Sequence, residues 1–148
     1  MPTVIDDQVL YIERTISAPP EQVFDAWVNP DMLVQWWGPE GMSIPQHKLD
    51  VRVGGAWETT MRNAEGGEVF VSGVYKAIEH PNRLVFTWAW RQPDGSRGEE
   101  TEITVTFEAV EGGTKMMLDQ RAFSEVGNRD NHRMGWESSF NCLDRLFE

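Results

Sequence analysis

Three histidines, one cysteine and a scatter of carboxylates are the reactive side chains of this sequence. His47 falls on an expected strand, His80 in a turn and His132 on an expected helix, so no pair has the spacing of a metal site. A lone histidine such as His132 packs or hydrogen-bonds far more often than it ligates, yet it is the only acid–base group placed to face an interior. Cys142 would serve as a nucleophile only beside a base; among apolar helix residues it reads as a buried, inert thiol. The pairs Gly54-Gly55, Gly66-Gly67 and Gly112-Gly113 join strands, where turn chemistry explains them. None cradles a phosphate. Neither a metal nor a cofactor is expected, and no catalytic residue is assigned.

His132 belongs to the stretch that organises the chain, Asn128 to Glu148. Read at about 100° per residue, Trp136, Phe140, Leu143 and Phe147 share one side. Gly135, Ser139 and Cys142 form a stripe of small side chains beside them. Towards the N-terminus, Arg129, His132 and Arg133 turn the same face polar. Periodicity alone favours a packed helix with solvated first turns, because interiors are close-packed. The alternative is a helix that closes a hollow space.

The elements facing this helix follow from alternation and breakers. Strands are expected over Gln8–Ile16, Gln46–Val53, Ala56–Arg62, Glu68–Ile78, Arg83–Arg91, Glu100–Ala109 and Thr114–Arg121. One helix should start near Pro20, with Val23, Phe24 and Trp27 buried, and a shorter one should span Met32–Trp37, capped by Asp31. Successive strands on short turns pair antiparallel, and only the long helix can cover their apolar face. The expected class is α+β: one curved antiparallel sheet wrapped round a C-terminal helix, with two short N-terminal helices, as one domain over residues 1–148. Trp57, Thr59, Met61, Phe86, Trp88, Trp90, Met116, Leu118 and Gln120 would point at the helix. Adaptable methionines, flat aromatics and isolated polar groups make a small-molecule site; they also make an ordinary sheet core. Trp36 and Trp37 cannot both point inward from so short a helix, which leaves one for a cavity mouth or a partner surface.

Composition narrows the partners. The 148 residues include 13 basic and 24 acidic ones, a formal charge of −11. That charge argues against nucleic acid and against an anionic membrane surface as partners. No run is long and apolar enough to span a bilayer. The opening MPTVIDDQ lacks the basic-then-apolar pattern of a leader, and a single cysteine forbids an internal disulfide. A cytoplasmic protein is expected.

Several strings in order resemble a known family: Ala18 to Trp27 (APPEQVFDAW), Gln35-Trp36-Trp37-Gly38-Pro39, Asp50 to Trp57 (DVRVGGAW), Pro81 to Trp88 (PNRLVFTW), Glu111 to Lys115 (EGGTK) and Gly135-Trp136. Together they resemble the activator-of-heat-shock-chaperone-ATPase homologue family, in the START-like (SRPBCC) superfamily, over nearly the whole chain. The resemblance implies the helix-grip fold and a cavity between sheet and helix. Relatives in that superfamily carry lipids, sterols, polyketides or plant hormones there, and some catalyse cyclisation or hydrolysis. Two features depart from the pattern. Gln120 stands where the family often has histidine, and glutamine can only hydrogen-bond. The chaperone-activating members carry a further N-terminal domain for which these 148 residues leave no room.

The resulting expectation is a binding protein for a small, largely apolar ligand, lipid-like, polyketide-like or aromatic. The ligand would lie among Thr59, Met61, Phe86, Trp88, Met116 and Leu118 of the sheet and Gly135, Trp136, Ser139 and Cys142 of the helix. Trp36 and Trp37 would form part of a lid, and Gln120, Arg129 and His132 would orient the ligand. Two alternatives stand beside it: a co-chaperone module that stimulates a heat-shock chaperone ATPase, and a cyclase or hydrolase acting in the same cavity with His132 as its base. A homodimer is left open, since nothing specifies an interface.

Overall fold

The computed structural model describes residues 9–38, 40–121 and 126–147, with side chains of the last stretch from residue 130 onwards. In chain order the elements are β1 (Val9–Ile16), α1 (Pro20–Val28), α2 (Pro30–Leu33), β2 (Ser43–Leu49), β3 (Ala56–Arg62), β4 (Glu68–Glu79), β5 (Arg83–Trp90), β6 (Thr101–Val110), β7 (Gly113–Arg121) and α3 (Val126–Leu146). The seven strands form one antiparallel sheet in the order β1-β7-β6-β5-β4-β3-β2. β2 to β7 are thus a meander of neighbours, and β1 adds to its far edge against β7.

α3 runs across one face of this sheet. Trp136, Phe140 and Leu143 are buried against it, and Phe147 is half-buried. From the sheet, Leu10, Ile12, Trp57, Met61, Phe86, Trp88, Met116 and Leu118 enter the same core. Arg14 anchors the far end of the helix, donating to Asn141 Oδ1 at 2.9 Å and Asp144 Oδ2 at 3.1 Å. α1 and α2 pack beside it, with Trp27 of α1 meeting Phe140 of α3 at 6.1 Å between ring centroids. Pro20 opens α1 where a missing N–H costs nothing, and Phe24 and Trp27 reach the core.

Four local expectations are corrected. α2 covers Pro30–Leu33 rather than Met32–Trp37, and its cap is Asn29, whose Oδ1 accepts from the Asp31 amide at 2.9 Å. β2 spans Ser43–Leu49 rather than Gln46–Val53. Residues 50–55 turn instead: the Arg52 amide donates to the Asp50 carbonyl and the Gly55 amide to that of Arg52, with Gly54 at φ +85°. A register shift between Tyr75 and Ala77 lets β4 continue to Glu79. Finally, Cys142 is half-buried rather than buried.

Candidate functional site

Sheet and helix do not meet everywhere. Between β3, β5 and the first half of α3 lies a pocket of about 360 Å³. Its walls are the indoles of Trp37, Trp88, Trp90 and Trp136, with Met61 below and Gly38, Asn131, His132, Gly135 and Ser139 around it. The volume lies within the range of small-molecule sites. The helix leaves this space because its small residues face the sheet here: Gly135 offers no side chain, and Ser139 offers one hydroxyl.

An indole N–H can only donate, and burial without an acceptor is costly. All four indoles of the wall have one. Trp37 donates to Thr59 Oγ1 at 3.0 Å. Trp136 donates to Gln120 Oε1 at 2.8 Å. Trp88 and Trp90 both donate to His132 Nε2, at 3.3 and 2.9 Å. The walls therefore present ring faces and edges, and their donors point into the protein. Because His132 Nε2 accepts two hydrogen bonds, the imidazole is neutral and carries its proton on Nδ1. In this arrangement Nε2 is not available as a base.

Gln120 is wholly buried. Its Nε2 donates to Thr101 Oγ1 at 2.8 Å while its Oε1 holds Trp136. The donor-only indole fixes which way the amide faces. Gln120→Leu is expected to cost about 2–4 kcal/mol, because it leaves the Trp136 N–H without an acceptor and takes a donor from Thr101. Urea unfolding measures this; a loss below about 1 kcal/mol would mean that Trp136 finds another partner.

Of the side chains expected at the site, Trp37, Met61, Trp88, His132, Gly135, Trp136 and Ser139 line the pocket. The others stand behind it. Thr59 and Gln120 hold two of the wall indoles. Phe86 packs on Trp57 at 5.6 Å between ring centroids. Met116 and Leu118 are fully buried on β7. The Arg129 side chain lies outside the described residues. Trp36 and Trp37 are both buried, against the expectation that they could not both point inward, and Trp37 stands at the pocket, one of the two places left for the second ring. The helix ends at Leu33, so neither indole is confined to a helical face, and their rings splay at 76°. Trp36 turns away from the pocket and donates to the Ala26 carbonyl at 2.9 Å; Trp37 turns into the wall. Trp90, Gly38 and Asn131 complete the lining beyond the expected set. Trp90 was legible, since it continues the alternation of Leu84, Phe86 and Trp88.

The chain around Gly38 is fastened to α3. The Glu40 amide donates to Ser138 Oγ at 2.8 Å, and the Glu40 carboxylate accepts from Arg145 at 2.6 Å and Asn141 at 3.2 Å. The Arg145 and Asn141 hydrogen bonds hold this carboxyl below the usual range. A depressed carboxyl pKa stabilises above the unfolded value and loses that contribution as pH falls through the folded one. Acidification through the folded carboxyl's lowered pKa should therefore reduce the protection factor of the Glu40 amide, its exchange rate taken relative to that of an unstructured chain at the same pH, and Glu40→Gln should remove that pH dependence. An unchanged profile in the variant would show that the carboxylate does not fasten the segment.

A seven-stranded antiparallel sheet gripping a C-terminal helix, with a pocket held open between them, defines a helix-grip protein of the START-like (SRPBCC) class. Within that class the chain belongs to the family described as Activator of Hsp90 ATPase homolog 1-like protein, whose model matches residues 17–148. Among solved structures, a protein of this family from Silicibacter pomeroyi is 35% identical, with a TM-score of 0.87 over 93% of this chain and 96% of that one. A Chromobacterium violaceum protein is 26% identical, with a TM-score of 0.86 over 95% and 97%. Among curated proteins, none matches.

Proposed function

We propose that the protein binds a small, largely apolar molecule with a flat aromatic portion in the pocket between sheet and α3. One observation carries this reading: four indoles line one space, and every indole N–H is already bound to the protein. A ligand there meets ring faces and a few polar groups of Asn131, His132 and Ser139. Stacked or edge-to-face contacts with such rings add about 0.5–1.5 kcal/mol per pair beyond area burial. Among the described residues, neither lysine nor arginine lines the pocket.

The test is native mass spectrometry of protein purified from cells, with extraction of what co-purifies, followed by titration of the recovered class against tryptophan fluorescence. One apolar molecule per chain, quenching the indoles on rebinding, is the expected result. A bare mass together with no fluorescence or thermal response to lipids and polycyclic aromatics would overturn it. A chaperone partner is a second reading, favoured by the family's description as an Hsp90 ATPase activator homologue. Stimulation of a chaperone ATPase by this chain, undiminished when the pocket is filled, would support that reading instead.

A further inference from the structure

The sheet has a second concavity, larger than the first, on the face turned away from α3. It encloses about 760 Å³. Its floor follows from the strand register. Lys48, Glu58, Ser72 and Ala89 stand in one row across β2 to β5, and Gln46, Thr60 and Phe70 stand in the next. Arg91 extends the second row, its amide donating to the Phe70 carbonyl at 2.8 Å. One wall is β2. The other is the β5–β6 connection, which folds back over β4 and is tied there. Arg97 donates through Nη2 to the Ser72 carbonyl at 2.8 Å and through Nε to Ser72 Oγ at 3.1 Å. The groove is thus a built part of the sheet.

Its charge runs against that of the chain. Acidic residues outnumber basic ones by 24 to 13 overall, yet the groove carries Lys48, Arg91 and Arg97 against the single acid Glu58. Arg97 is engaged by Glu100 at 2.6 Å. Arg91 lies with its Cζ 4.1 Å from the centre of the Phe70 ring. That contact occupies the guanidinium face and leaves its N–H donors for a ligand. Among the described residues, neither Arg91 nor Lys48 has a carboxylate within ion-pair distance.

We propose that this groove binds an extended acidic peptide segment of a partner protein, with one carboxylate on Arg91 and another on Lys48. Three interstrand steps of about 4.8 Å separate β2 from β5 and the two rows lie about 7 Å apart along the strands, so the two cations arise roughly 16 Å apart. Side chains as long as lysine and arginine can reach across part of that span. Carboxylates at positions i and i+2 of an extended chain lie on one side, about 7 Å apart, and fit between them. Glu58 and Gln46, on the floor, meet the N–H and C=O groups of the peptide backbone. The floor carboxylate also penalises an unbroken anionic surface, which sets a peptide apart from nucleic acid.

The experiment titrates the acetylated, amidated peptide Ser-Glu-Ser-Glu-Ser into the whole protein, followed by amide chemical shifts and calorimetry. About 0.1 M salt is suitable, where a Debye length of ~10 Å screens the chain's overall negative charge while the groove still acts at contact. Shifts should centre on Gln46–Lys48, Phe70–Ser72 and residues 91–97. The matching glutamine peptide should bind at least tenfold more weakly. Lys48→Gln with Arg91→Gln should lose at least tenfold at unchanged melting temperature, because both side chains are exposed. The proposal is overturned by shifts elsewhere on the protein, by equal binding of the glutamine peptide, or by no binding at millimolar peptide. Binding of free tricarballylate without binding of the peptide would also overturn it. The shift map on the unaltered protein decides even if the double variant folds poorly.

Discussion

Gly73→Ala should destabilise the protein by about 3 kcal/mol or more. Gly73 lies on β4 directly opposite Trp57 of β3. A Cβ there would overlap the Thr87 carbonyl oxygen of β5 and stand 2.6 Å from Trp57 Nε1. The first obstacle is backbone inside a paired ladder, so it cannot rotate aside. The second is a buried ring already hemmed in by Trp37, Phe86 and Trp88 at centroid distances of 5.6–5.9 Å. Overpacking a filled core typically costs 1–3 kcal/mol, and here the pairing of β4 with β5 must also open. Trp57 Nε1 is itself buried without an acceptor, so the site has little stabilisation to spare. Equilibrium unfolding in urea measures the cost. A change below about 1 kcal/mol would show that the strands part without loss, and the close packing of indole on glycine would then not be what fixes Trp57.

The sequence sets Gly73 inside an expected strand, apart from the turn glycines, but does not say what it must fit, and the contrast shows what was legible. The α3 stripe, the alternation of β5 and β6 and the turns at Gly66, Gly95 and Gly112 rest on local periodicity and local backbone conformation. Those are properties of neighbouring residues, and the fold class followed from them. The requirement at Gly73 comes from two other strands, and its own strand pattern is silent about them. The same holds for Trp36 and Trp37. Read as a helix end, they could not both point inward; the chain instead leaves the helix at Leu33, and each ring finds an acceptor far from itself, Ala26 for one and Thr59 for the other.

The pocket was legible only in part, for a related reason. Alternation puts Met61, Trp88 and Trp90 on the inner face, and helix periodicity puts Gly135 and Ser139 opposite them. Whether those side chains interlock or leave room depends on their rotamers, which no pattern of residue types fixes. Hydrogen bonds fix them here. Gln120 and His132 look from the sequence like groups offered to a ligand. In the fold Gln120 is wholly engaged with Trp136 and Thr101, and His132 Nε2 takes two indole donors. They keep the rings upright and the space between them open. Thr59 does the same for Trp37. These polar residues therefore position aromatic walls, and the apolar character of the pocket follows from how completely they do so.

Gly135→Leu is expected to abolish ligand binding, by at least a hundredfold, while the protein stays folded. Gly135 lines the pocket on α3, one residue before Trp136. A leucine side chain there projects into space the ligand would use, and the surrounding indoles cannot yield without breaking their hydrogen bonds to Thr59, Gln120 and His132. Stability should hold or rise. Leucine is a better helix former than glycine by nearly 1 kcal/mol, and a side chain filling an apolar hollow adds burial at about 25 cal/mol per Å². The opposite signs make the test specific, because a variant that merely damaged the fold would lose both. Melting temperature and fluorescence titration with the co-purified molecule, measured on the same preparation, check the pair of outcomes. Retained affinity at unchanged stability would place the ligand elsewhere and leave this hollow as imperfect packing beneath α3.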